Sequence, residues 1–338
     1  MSAAPLLEAR DVRVDYPIPR SVPELLRRSP ARSVRAVAGV SLRLERGETL
    51  GIVGESGCGK STLGRALIGL EPLTGGEVHL AGAPVGPSMP PALRRRAQMI
   101  FQDPYAALNP MQTVAETIAE PLRVHRLASG GEVPARVAEL MRRVGLAEEF
   151  AARRPASLSG GQAQRVGIAR ALSVAPDLLV ADECVSALDV SIQAQVLNLL
   201  GELRRTLGLA MVFISHDLGV VRQVCDRVAV LYLGRVVEEG PTAEVFARPS
   251  HPYTRSLIDA APVLRADAPP PAPTLAGEPP SPTDVPPGCA FQTRCPHALP
   301  ECRVGAPPPL LVSGTRATAC VLNGGRGLHY DDRPEAQP

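Results

Sequence analysis

Four groups of residues have types and spacings suited to chemistry. The first is GESGCGKST, comprising Gly54, Glu55, Ser56, Gly57, Cys58, Gly59, Lys60, Ser61 and Thr62. It fits G-x-x-x-x-G-K-[ST], where glycines let backbone N–H groups close around phosphate oxygens and the lysine meets the same oxygens. Lys60 is the single lysine of the chain; every other basic side chain of the Lys+Arg count is arginine. A compact ammonium on a flexible stem enters a ring of amides, whereas a planar guanidinium is the wrong shape for it. The chain is therefore its own control. The second group is Asp182-Glu183, directly after LLVA, with His216 after AMVFIS. The third is LSGGQ, in which Ser159, Gly160, Gly161 and Gln162 combine a capping-box pattern with two glycines at a helix start. The fourth is Cys289, Cys295, Cys302 and Cys320, spaced C-x5-C-x6-C-x17-C.

These groups need elements to hold them. TLGIV (residues 49–53) reads as a buried strand. STLGRALIGL reads as a helix with Leu63, Ala66, Leu67 and Leu70 on one face. The N-terminus of that helix adds partial positive charge where phosphates would sit. LLVA (178–181) and AMVFI (210–214) are further buried runs. Buried runs separated by helices imply a parallel sheet with crossovers, so Gly54, Asp182 and His216 each follow a strand's carboxyl end, where open α/β sheets bind ligands. Alternation at Val12–Tyr16, at Val40, Leu42 and Leu44, and at Val78 and Leu80 predicts a small antiparallel sheet beside the loop. Residues 228–238 read as a hairpin turning at Leu233-Gly234-Arg235. From Asp103 to about Ala156 the chain reads as mainly helical, with breaks at Pro121, Gly130 and Gly145. A helix is expected from LSGGQ to just before Pro176.

Composition limits the alternatives. The chain has 338 residues, 45% hydrophobic, with a net charge of +2, which suits one full α/β domain with a smaller appendage. The near-neutral charge gives no basis for a nucleic-acid partner, and 3% aromatics without Trp leaves little to stack on bases. No run of about 18 apolar residues occurs. The N-terminal stretch carries acids and no long apolar core, so no secretory signal is expected and the seven cysteines are expected to be reduced. The Pro- and Arg-rich stretch from Pro17 to Arg35 reads as a solvated loop. Beyond residue 247 the prolines crowd into a linker, expected to lead to a small Cys-bearing module over Gly288 to about Leu322.

Taken in order, GESGCGKST, LSGGQ, LLVADE, SALD and ISHD resemble the ATP-binding subunit of an ABC transporter, over Leu6 to about Val245. The resemblance implies an α/β P-loop NTPase cassette at 1–247, with a parallel core sheet, a small antiparallel subdomain and a helical subdomain at about 104–170. A Cys-rich C-terminal region at 248–338 follows. It implies an ATPase in which the loop amides and Lys60 hold phosphates while Ser61, Asp182 and Gln102 serve Mg²⁺. Glu183 is then the general base, His216 the switch histidine and Tyr16 an adenine platform, although Tyr16 reads equally as a core-strand residue. LSGGQ and Asp189 would face the ATP of a partner subunit, identical or sister, so that two ATPs lie between two cassettes. Two departures stand out: Cys184 replaces the usual proline after the base, losing a fixed φ, and Ala163 follows LSGGQ in place of a larger polar residue.

The segments HPYTRSLIDAAP (251–262) and CAFQTRCPHALPEC (289–302), with DPYAALNP, resemble the oligopeptide/dipeptide importer branch, which includes nickel importers. That branch implies two transmembrane permease subunits, an extracytoplasmic substrate-binding protein, no nucleic acid and a peripheral place on the cytoplasmic membrane face. The alternatives are nickel or another small solute, a soluble ABC ATPase in nucleic-acid or ribosome work, or a partner that binds ATP without hydrolysis. Similar subunits carry a [4Fe–4S] cluster at the four cysteines; zinc, disulfides and free thiols stay open. Arg294 and Arg303 are placed to offset a cluster's negative charge, and Cys58, Cys184 and Cys225 read as packing residues.

Overall fold

β-Branched and leucine-rich runs decide the centre of the molecule. The computed structural model describes residues 4–20, 32–260 and 277–323. Most of the Pro- and Arg-rich loop and much of the Pro-rich linker fall outside the described residues. The strands are β1 (Leu7–Pro17), β2 (Ser33–Leu44), β3 (Thr49–Val53), β4 (Gly75–Leu80), β5 (Ala83–Pro84) and β6 (Ala97–Ile100). They continue with β7 (Leu178–Asp182), β8 (Ala210–Ile214), β9 (Arg227–Tyr232), β10 (Arg235–Pro241), β11 (Leu311–Ser313) and β12 (Arg316–Thr318). One sheet has the order β2-β1-β4-β5 and the other β11-β12-β10-β9-β3-β8-β7-β6. Strands β3, β7 and β8 are buried at every residue and pair in parallel, as strands covered on both faces must be. Register pairs Asp182 with Ile214 and Ile52 with Ile214, so the carboxyl ends of the three strands lie side by side. Among the described residues no helix is long and apolar enough to cross a membrane.

The small antiparallel sheet forms as expected, but β2 begins at Ser33 rather than at Val40. Its early half gains partners from β1, with Tyr16 opposite Val34 and Pro17 opposite Ser33. The expected hairpin forms as β9 and β10, inside the large sheet. The loop helix, Lys60–Leu67, is shorter than expected. Gly69 turns the chain at φ +74°, so Leu70 leaves the apolar face and is half exposed. Pro121 does not break its helix, which runs Val114–Val124. Pro121 lies in the last turns, and its own carbonyl still accepts from the N–H of His125 at 3.0 Å. The LSGGQ helix, Gly160–Leu172, stops as expected before Pro176.

The change of composition at residue 247 is not a change of packing. Tyr253, on the helix Pro252–Asp259, and Phe291 are fully buried in the same apolar cluster as β8 and β9. The β11–β12 hairpin extends the large sheet through β10, where Glu238 pairs with Thr318. Cys58, Cys184 and Cys225 are buried, in keeping with packing roles.

Candidate functional site

Strand β3 ends at Val53 and the chain wraps as a loop before the helix at Lys60. The wrap needs glycine. Gly59 sits at φ +102°, and a Cβ there would lie 2.0 Å from the Ala36 carbonyl oxygen. Lys60, 4% exposed, turns its ammonium into the loop. Its Nζ donates to the carbonyls of Gly54 (2.8 Å) and Glu55 (2.9 Å) and lies 3.9 Å from Glu183 Oε1. The Ser61 hydroxyl donates to Asp182 Oδ1 at 2.8 Å. Burial pushes the Asp182 carboxyl up, and the bond from Ser61 pulls it back.

Glu183 follows β7 at φ +44°, a conformation L side chains rarely adopt. Its N–H donates to the Ile214 carbonyl, and its own carbonyl accepts from both the N–H and the hydroxyl of Ser186. The turn is therefore held without a proline: Cys184 is buried and takes a place in the core. Gln102 Nε2 donates to Glu183 Oε2 at 2.9 Å, and His216 Nδ1 lies 3.5 Å from the same oxygen. Three strand ends and the loop after β6 thus bring together Lys60, Ser61, Gln102, Asp182, Glu183 and His216. Loop residues 56–62, Gln102 and Glu183 line a cavity of about 250 Å³. That is below the roughly 300–1,000 Å³ of sites enclosing a whole small molecule. It suits the phosphate end of a nucleotide.

Other residues of the cavity wall were not anticipated. Val34, Arg35 and Ala36 come from the early half of β2, Leu233 and Gly234 from the hairpin turn, and Pro282 from the tail. The turn was legible as a turn; nothing in the sequence aimed Pro282 at this site. Tyr16 lies outside the wall and is partly exposed, with its phenol beside Thr62 and Glu71.

Ser159, Gly160, Gly161, Gln162 and Asp189 also lie outside the cavity wall. The Ser159 side chain accepts from the N–H of Gln162 at 3.3 Å, and Gln162 Oε1 accepts from the N–H of Ser159 at 2.9 Å, closing the expected capping box. A Cβ on Gly161 would lie 2.4 Å from Ile192. The LSGGQ turn is thereby seated on the start of the helix Val190–Leu207, whose N-terminal flank is the exposed Asp189. Ala163 is fully buried, so a larger polar side chain starting there would leave its Cβ inside the core.

In the tail, Cys289, Cys295, Cys302 and Cys320 are free thiols, two buried and two half-buried. Burial pushes the Cys320 thiol up to about 12, and Cys289, Cys295 and Cys302 add to the push. The four share one neighbourhood. Among the described residues, however, no three His, Cys, Asp or Glu side chains are grouped closely enough to hold a metal ion. Arg294, expected to offset a cluster's charge, instead forms a two-point ion pair with Glu55 in the phosphate loop, at 2.8 and 2.9 Å.

Comparison with known proteins agrees with this geometry. A profile of the ABC transporter family matches residues 37–186, and one for the oligopeptide/dipeptide transporter C-terminal region matches 237–302. The chain is 51% identical over 303 residues to the oligopeptide transport ATP-binding protein OppF of Escherichia coli strain K12, covering 88% of this chain and 90% of that protein. It is 45% identical over 334 residues to the dipeptide transport ATP-binding protein DppF of the same strain, covering 98% and 97%. Among solved structures it resembles the dimeric post-hydrolysis state of the ATP-binding cassette MJ0796 bound to ADP and Pi. The TM-score is 0.60 and the identity 30%, over 70% of this chain and 98% of that one.

Proposed function

The chain belongs to the ABC transporter family of ATP-binding subunits, and on that premise we propose that it hydrolyses ATP to drive import of oligopeptides or dipeptides. The observation that carries the ATPase reading is the convergence of Lys60, Ser61, Asp182 and Glu183 at one edge of the parallel sheet. The peptide reading rests on the likeness to OppF and DppF and on the C-terminal region match.

The loop amides and the Lys60 ammonium take up the phosphate oxygens at the helix N-terminus. Ser61 and Asp182, already hydrogen-bonded to each other, have the hard oxygen donors that suit Mg²⁺, with Gln102 as a further donor. Held by these residues, Mg²⁺ would supply positive charge to offset that of the phosphate oxygens. Glu183 orients and polarises the attacking water, and His216, 3.5 Å from the same carboxylate, reaches for the terminal phosphate. Gln102 donates to the same carboxylate oxygen that His216 approaches, so two groups position the base.

A second subunit, self or sister, completes the site. Ser159, Gly160 and Gly161 of one chain close over the phosphates held by the other, with Asp189 at the seam. The small single-chain cavity and the exposed Ser159 at the start of the LSGGQ helix favour that arrangement. Two membrane subunits and an extracytoplasmic binding protein complete the importer, with this chain on the cytoplasmic face. In this reading 1–247 is the catalytic cassette, with its helical part at about 104–170, and 248–338 is the importer-specific tail. The tail cysteines supply four thiolate donors of the kind a [4Fe–4S] cluster takes. Among the described residues no three of these side chains are grouped closely enough to hold a metal ion, so the reading rests on the donor chemistry and the likeness to the importer tail alone.

The test is reconstitution with the two membrane subunits in proteoliposomes. ATP-dependent uptake of labelled di- to pentapeptides is expected. ATP turnover without uptake of any peptide overturns the substrate reading and leaves the ATPase.

A further inference from the structure

Glu55 occupies a variable position of the phosphate loop, yet every polar group it carries is engaged. Its N–H donates to Tyr253 Oη at 2.9 Å. Its carbonyl accepts from Lys60 Nζ at 2.9 Å. Both carboxylate oxygens accept from Arg294, at 2.8 and 2.9 Å. Two of these partners come from the tail, Arg294 from 239 residues away in sequence and Tyr253 from 198.

The two partners are themselves held. The Arg294 side chain is 5% exposed and that of Glu55 24%. Tyr253 is fully buried, its ring 4.6 Å from Tyr232 and 5.4 Å from Phe291 between centroids. Aromatic packing thus aims the phenol oxygen at the loop. Arg294 directly precedes Cys295, so the connection runs from the four-cysteine region through the guanidinium to Glu55 and on through its carbonyl to the Lys60 ammonium. Pro282 in the cavity wall is a second place where the tail reaches the same site.

We propose that Arg294 and Tyr253 are positioning residues for the phosphate loop, fixing Glu55 so that the tail and the nucleotide site each set the other's order. The inference rests on the nucleotide reading of the loop. A planar fork matches a carboxylate at two points; a lysine at 294 would keep the charge and lose that geometry. Removing one member of a largely desolvated pair leaves the other charged and unpaired, so Glu55 would turn toward water and draw its carbonyl off Lys60. Coupling between two sites is reciprocal. Nucleotide at the loop therefore steadies the tail by the same factor with which the tail steadies the nucleotide.

The experiment uses the full chain. Binding of a fluorescent ADP analogue with Mg²⁺ is titrated for wild type, Arg294→Ala, Arg294→Lys and Tyr253→Phe. Amide exchange of residues 288–303 is followed with and without the nucleotide, and melting is recorded for each protein. Arg294→Ala is expected to weaken binding about tenfold and Arg294→Lys nearly as much, with Tyr253→Phe about fivefold. Wild type is expected to show nucleotide-dependent protection of 288–303 that is lost in the Arg294 variants. If Arg294→Ala fails to fold, Tyr253→Phe, which removes one oxygen, carries the test. Variants that melt lower yet bind the nucleotide within twofold of wild type would reduce the pair to a structural tether and overturn the proposal. A wild-type protein that binds no nucleotide removes the nucleotide reading itself, and the proposal with it.

Discussion

Gln102 and Glu183, 81 residues apart, share a 2.9 Å hydrogen bond from Nε2 to Oε2, and His216 Nδ1 stands 3.5 Å from the same oxygen. The carboxylate is held at the edge of the cavity by groups from three separate elements. Glu183→Gln keeps the size and hydrogen-bonding reach of the side chain and removes its basicity. Phosphate release is expected to fall about a hundredfold or more, with ATP binding retained. A variant that turns over ATP at the wild-type rate would remove Glu183 from the role of base.

Ser159 lies on the exposed face of the LSGGQ turn, away from its own chain's cavity. Ser159→Arg removes the helix cap at a cost of about 1 kcal/mol and sets a bulky cation at the seam. Combined with Glu183→Gln, it is expected to bind ATP as a monomer, whereas Glu183→Gln alone forms an ATP-dependent dimer. Light scattering after size exclusion reads the difference. Equal dimerisation of the two proteins would place the seam elsewhere.

His251 is 1% exposed, and its Nδ1 accepts from the N–H of Tyr253 at 3.1 Å. Burial lowers its pKa from 6.5 to about 3. Above pH 6.5 the ring is neutral in both folded and unfolded chains, so it adds no pH dependence. As pH falls below 6.5 the unfolded chain takes a proton that the folded chain refuses, and stability drops by roughly 1.4 kcal/mol per unit. Between pH 6.5 and 5.0 that is roughly 2 kcal/mol. Urea unfolding across this range should be shallower in pH for His251→Asn, which keeps a cap acceptor without the titration. Parallel pH profiles for the two proteins would show that His251 titrates normally in the fold.

The tail cysteines make a compositional prediction. On the cluster reading, protein purified without oxygen would hold about four irons and four sulfides per chain and absorb in the visible. Cys295→Ala should lose both, while Cys225→Ala, in the cassette core, should keep them. Zinc alone, or no metal, rules out the cluster and leaves the ATPase unaffected.

The candidate site was legible because its motifs are local. Residues 54–62, 158–162 and 182–183 are each a short run whose spacing already contains its geometry, and the apolar strands β3, β7 and β8 announce themselves by composition. What escaped was pairing across long separations. The early half of β2 reads as loop because Ser33–Arg35 follows a Pro- and Arg-rich stretch, and only β1 makes it a strand. Strand β11 is exposed at every residue and has no apolar alternation to read. Arg294 beside Cys295 looked like a charge for the cysteines, because nothing in either segment names Glu55 as its partner. Leu70 kept a helical spacing, but Gly69 ended the helix before the spacing took effect.

The left-handed backbone at Glu183 has an evolutionary consequence. A residue with a Cβ held at φ +44° carries about 1–2 kcal/mol of local strain, which glycine or asparagine at the same place would largely release. With Glu183 read as the base, selection for thermal robustness and selection for turnover would pull in opposite directions at this one codon. Descendants of this chain freed from the need to hydrolyse, such as a sister subunit whose site serves only to hold nucleotide, would be expected to drift there first, toward Gly or Asn. They would melt at higher temperature as they fell silent.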